Sequence, residues 1–136
     1  EEIRKYSDRP ILIRSHRHAD EHSIREDKKN LDYILDNYKN ITHTALGETS
    51  IYDDLKNAWA CVVYTSTAGA VAMLEGIPMI STHPACFSHK WSAGKLSDIE
   101  NPILKDRTYY ITHFANAHWT LDEIRQGCYW RKHVQN

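Results

Sequence analysis

Apolar residues in this chain cluster in short continuous runs, and most runs are followed by a stretch with helical spacing. Pro10–His16 (PILIRSH) enters from polar residues and turns apolar, which predicts a buried strand over 11–15. The charged stretch RHADEHSIREDKKN reads as a loop. Beyond it, Leu31, Ile34, Leu35 and Tyr38 fall at helical spacing. Ile41–Ala45 predicts a second strand. The LGETS turn follows, and Ser50 is placed to cap a short helix over Ile51–Asn57. Asp53 and Asp54 suit the positive end of that helix. Ala60–Tyr64 (ACVVY) is the clearest strand, apolar and β-branched. Thr65-Ser66-Thr67-Ala68-Gly69 then leads into a helix over Ala70–Leu74, stopped by Gly76 with Pro78 beyond. Met79–Thr82 predicts a fourth strand.

Strands and helices therefore alternate, and the strands read as unbroken apolar runs. Both features predict an α/β fold: a parallel sheet with strands near 11–15, 41–45, 60–65 and 78–82, and helices on both faces. From Pro84 to Pro102 the chain is rich in Ser, Gly, Lys and His and predicts a long loop with one turn, of the kind that more often serves function than structure. Arg107–Trp119 and Leu121–Gln126 predict C-terminal helices, the second opened by a Thr120/Glu123 capping box.

Composition narrows the function classes. A chain of 136 residues is expected to form one domain, 1–136. With 41% hydrophobic and 26% charged residues it is expected to fold rather than stay disordered. No apolar run approaches the roughly 18–20 residues of a membrane span, and no signal-peptide core is read. A formal net charge of −1 excludes a strongly basic, charge-driven nucleic-acid binder while leaving a local basic groove open. Cys61, Cys86 and Cys128 are odd in number and far apart. The expectation is a reducing, cytoplasmic setting rather than a disulfide scaffold or a cysteine zinc site. The chain opens on Glu1 rather than Met, and is expected to be a piece of a longer protein.

Two segments carry candidate chemistry. Ser66, Thr67, Ala68 and Gly69 lie where a buried strand passes into a helix. Ligands of open α/β sheets bind outside the carboxyl ends of strands, and helix starts favour phosphate. Hydroxyls at Ser66 and Thr67, with small residues at Ala68 and Gly69, suit a close anion. The alternative is a plain helix cap with small residues for packing. Arg14-Ser15-His16-Arg17-His18 would open on the same edge. Its arginines and histidines suit a diphosphate. The same segment contains His16, His18, Asp20 and His22, an HxHxDxH string of metal-ligand type. It has one residue more between Asp20 and His22 than the HxHxDH of metallo-β-lactamases.

Asp54–Ser81 (DLKNAWACVVYTSTAGAVAMLEGIPMIS) resembles the donor-binding half of GT-B glycosyltransferases, where a strand ends in Ser-Thr, a small-residue helix follows and Gly-x-Pro leads into the next strand. Ile11–Asp20 (ILIRSHRHAD) resembles the upstream strand of that half in capsule-type transferases. Leu96–Trp130 is similar to the C-terminal end of bacteriophage glycosyltransferases. The resemblance implies a Rossmann-like lobe that holds a nucleotide-sugar donor, with no resident cofactor or metal, in the host-cell cytoplasm. It implies catalytic roles for Arg14 and His16 beside the leaving diphosphate, with Lys90 or Lys95 adding charge. It implies donor binding by Ser66, Thr67, Ala68, Gly69, Arg17 and His18. The acceptor, a glycan or a DNA base, is left open, as is the oligomeric state. A full GT-B enzyme also has an N-terminal acceptor lobe. Two further readings stand beside this one: a non-catalytic nucleotide-sugar- or partner-binding module, and a metal-dependent hydrolase built on the HxHxDxH string.

Overall fold

A computed structural model describes residues 1–15, 21–45 and 47–134. The chain divides into two compact units, Glu1–Leu104 and Lys105–Asn136. The first is of mixed α/β type. Its elements are β1 (Ile11–Arg14), α1 (Glu21–Asn37), β2 (Ile41–Thr44), α2 (Ile51–Leu55), β3 (Cys61–Val63), α3 (Ala68–Leu74) and β4 (Met79–Ser81). The four expected strands are present, each shorter than its apolar run. Pairing is parallel throughout: Ile11 lies opposite Ile41 and Arg14 opposite Thr44, while Cys61 lies opposite Met79 and Val63 opposite Ser81. The hydrogen-bonded ladders are β1–β2 and β3–β4, two small parallel sheets where one four-stranded sheet is predicted.

The stretch expected to be a charged loop is corrected: from Glu21 to Asn30 it is the first half of α1. Residues 25–30 are all exposed. Charged side chains such as Arg25, Glu26, Lys28 and Lys29 have good helix propensity, and they leave no apolar stripe for a periodicity argument to detect.

Local stops follow the expected chemistry. The Ser50 hydroxyl accepts the Tyr52 amide at 3.1 Å and starts α2. At the end of α3, the Gly76 amide bonds the Met73 carbonyl and the Ile77 amide bonds the Ala72 carbonyl, with Gly76 at φ +78. This is a Schellman ending, whose left-handed residue glycine adopts without strain.

The segment after β4, expected as a long loop with one turn, has two 3-10 turns, at His89–Trp91 and Leu96–Asp98. The Ala93 amide bonds the Met79 carbonyl at 2.6 Å, covering part of the β4 backbone, and the Ile103 amide bonds Ala93. Ala93 and Ile99 are buried with Ile80, and Ile3, Ala60, Val62 and Leu96 pack around them. Apolar burial holds this segment in place.

The second unit contains α4 (Arg107–Ala117), α5 (Leu121–Arg125) and α6 (Cys128–Val134). Asp106 caps α4 by accepting the Thr108 amide at 2.9 Å. Thr120 and Glu123 form the expected capping box. Helix α6 has no counterpart in the sequence reading. Among the described residues, no helix is long and apolar enough to cross a membrane.

Candidate functional site

The carboxyl ends of β1, β3 and β4 carry most of the candidate residues. At the end of β1, Arg14 is already engaged. Its Nη1 donates to the Asp54 carboxylate, and its Nη2 donates to the Thr49 carbonyl at 2.9 Å. The Thr49 hydroxyl donates to the second Asp54 oxygen at 2.7 Å. Burial pushes the Asp54 carboxyl up. The bonds from Thr49 and Arg14, the Arg14 charge and a bond from Thr44 outweigh it and hold the group below the usual aspartate range. Arg14 is thus a strut between β1 and α2, and its charge is matched by a carboxylate. Beside it, the Ser15 hydroxyl lies 2.7 Å from His43 Nε2. His16, Arg17, His18 and Asp20 lie outside the described residues, as does the side chain of His22. Among the described residues, no three His, Cys, Asp or Glu side chains gather as a metal site.

The turn after β3 closes as a Ser-capped helix start. Ser66 Oγ accepts the Ala68 amide at 3.1 Å, and the Ser66 carbonyl accepts the Gly69 amide at 3.2 Å. A hydroxyl that accepts a cap bond still has its own proton to donate. Thr67 is exposed and its side chain makes no cap bond. Ala68 is half-buried. Gly69 is buried and turned inward: a Cβ there would lie 3.0 Å from Val63 Cγ2, 3.1 Å from Met79 Cγ and 3.3 Å from Ser88 Oγ. Its lack of a side chain serves the close approach of α3 to β3 and β4.

The carboxyl end of β4 holds a polar knot that the sequence reading did not single out. The buried Ser81 hydroxyl donates to the His83 carbonyl at 3.0 Å and lies 3.2 Å from His89 Nδ1. Cys86 Sγ lies 3.2 Å from the hydroxyl of the fully buried Ser88. Burial pushes the Cys86 thiol up, but bonds from the Ser88 hydroxyl and backbone and from Ser81 hold it below its ordinary value. At Cys61 burial pushes the thiol up to about 11. His83 packs against Tyr64 with ring centroids 4.5 Å apart. Lys90 lies over the Trp91 ring at 4.1 Å. The density of Ser, Cys and His between Ser81 and His89 was the available sequence signal. Period-based reading passes over it because a knot of loop residues has no period.

No family model, characterised protein or solved structure matches this chain.

Proposed function

We propose that this chain is the donor-binding domain of a glycosyltransferase, a Rossmann-like lobe that takes the diphosphate of a nucleotide-sugar at Ser66 and Thr67 and transfers its sugar to an acceptor held elsewhere. One observation carries the reading. In the parallel unit β3–α3–β4, the hydroxyl-bearing turn lies at the carboxyl end of β3, where parallel α/β units receive anionic ligands. Ser66 can accept from Ala68 and donate to a phosphate oxygen at once. Thr67 presents an exposed hydroxyl beside it. Arg14, with His16, Arg17 and His18 following it in sequence, would supply positive charge to the leaving diphosphate.

The Arg14–Asp54 pair favours a second reading, a nucleotide-sugar-binding module without turnover. A guanidinium already matched by a carboxylate contributes little net field to a leaving group. Calorimetry with UDP-, GDP-, ADP- and CMP-sugars tests both readings. Both expect binding that Ser66→Ala weakens at a temperature where both proteins are folded. Release of free nucleoside diphosphate from a UDP-, GDP- or ADP-sugar, or of CMP from a CMP-sugar, in the presence of the acceptor and any acceptor-binding partner domain selects the enzyme. Failure of the folded wild type to bind any member of the panel would overturn both.

A further inference from the structure

The turn that follows β4 hangs on His83. The Thr82 amide still donates to the Val63 carbonyl at 2.9 Å, so the turn begins where the β3–β4 ladder ends. The His83 carbonyl accepts the Cys86 amide at 3.1 Å and the Ser81 hydroxyl at 3.0 Å. The His83 ring closes the turn, because its Nδ1 takes the Ala85 amide at 3.1 Å. A backbone N–H can donate and cannot accept. Nδ1 is therefore the bare nitrogen, and the ring is the neutral tautomer with its proton on Nε2.

His89 makes the opposite demand. Its Nδ1 lies 3.2 Å from Ser81 Oγ. The Ser81 proton is directed at the His83 carbonyl, so His89 Nδ1 is the donor to that oxygen. A donor nitrogen is satisfied in the imidazolium as well as in the Nδ1–H tautomer. Two histidines of one knot thus respond differently to acid: His83 loses a bond and His89 keeps one. The titratable groups facing them are Tyr64, whose ring at the end of β3 lies 4.5 Å from that of His83, and Cys86, whose thiol reaches Ser81. Among the described residues no carboxylate pairs with either histidine. The Tyr64 face attracts an imidazolium, but it returns no acceptor to the Ala85 amide.

We infer that His83 is a proton-operated latch on the turn from Ser81 to Cys86, closed while its ring is neutral and opened when Nδ1 takes a proton. Protonation puts an N–H where the Ala85 N–H needs a lone pair. Ala85 is exposed, so water replaces the lost acceptor and the turn opens without unfolding the β3–β4 ladder. Imidazoles change charge between about pH 5 and pH 8, and the latch works across that range.

Amide–water exchange read by NMR tests this, with protection factors at Thr82 and Ala85 followed from pH 8 to pH 5 in wild type, His83→Asn and His89→Gln. In wild type the Ala85 protection factor is expected to fall about two- to tenfold, the worth of one hydrogen bond, while that of Thr82 holds. An asparagine oxygen accepts the amide two residues on and does not titrate. His83→Asn is therefore expected to keep Ala85 protected throughout, and His89→Gln to lose protection as wild type does. Ring nitrogen chemical shifts of His83 should place the proton on Nε2 at pH 8 and on both nitrogens at pH 5. Flat Ala85 protection in wild type would overturn the inference, as would a fall that survives in His83→Asn. A fall that vanishes in His89→Gln would make His89 the sensor and overturn it too. So would a proton on Nδ1 of His83 at pH 8, or an equal loss at Thr82, which would be opening of the whole ladder.

Discussion

The guanidinium of Arg14, at the end of β1, is paired with the carboxylate of Asp54 in α2, and Thr49 bonds both partners. Residues 40 positions apart are thereby joined, and α2 packs in turn on α3, which begins at the Ser66 turn. Arg14→Ala is expected to destabilise the fold by about 1–3 kcal/mol, because it removes charge-assisted bonds from a partly buried carboxylate. Urea unfolding at pH 7 measures it.

The same pair sets an acid dependence. The Asp54 carboxyl titrates below its ordinary value in the folded chain. Its stabilising contribution is therefore complete above the unfolded value of about 3.9. The contribution is lost as pH falls through the lower folded value. Between pH 6 and pH 2.5 the wild type is expected to lose more stability than Asp54→Asn. Parallel curves for the two proteins would remove Asp54 from the account.

Gly69 is bounded by Val63, Met79 and Ser88. Alanine would gain helix propensity but press its Cβ into these neighbours, and the expected balance is destabilising by about 1–3 kcal/mol. Val63→Ala removes the closest of the three atoms. The double variant Gly69→Ala/Val63→Ala is therefore expected to be less destabilised than the sum of its parts. Thermal melts of the four proteins give the coupling directly.

The three thiols are expected to react in a fixed order with Ellman's reagent at pH 8. Cys128, half-buried in α6, reacts first. Cys61 at about 11 is thiolate in about one molecule per thousand at that pH, and thiolate is the reactive form. Cys86 is held below its ordinary value yet is buried, so it waits for local opening. Cys128→Ser should abolish the fast phase.

Thr120→Ala removes the hydroxyl that accepts the Glu123 amide at 3.2 Å. The expected loss is about 0.5–2 kcal/mol in the stability of α5, read as faster amide hydrogen exchange over Leu121–Arg125.

The strands, their caps and the Gly76 stop were legible in the sequence because each depends on neighbours within a few residues. The apolar run ACVV is hydrophobic wherever it lies, Ser50 reaches an amide two residues on, and Thr120 and Glu123 meet within one helical turn. Helix α1 was half legible: residues 25–30, polar or charged, are all exposed, and such a stretch leaves no apolar period. The turn at Ser66–Gly69 was legible as a place but not as a division of labour. That Gly69 faces Val63 and Met79 follows from how closely α3 approaches two strands, which packing alone decides.

Sequence by itself determined an α/β chain with short parallel-type strands, a Ser-Thr turn before a small-residue helix, and a basic end to β1. Tertiary structure decided that Arg14 is matched by Asp54, that the segment after β4 is held by Ile80, Ala93 and Ile99, and that Tyr64 stands beside His83. The physical reason is range. Propensity, capping and periodicity act along the chain over one or two turns. Ion pairing, core burial and ring contact depend on separations through space, and those exist only once the strands have paired.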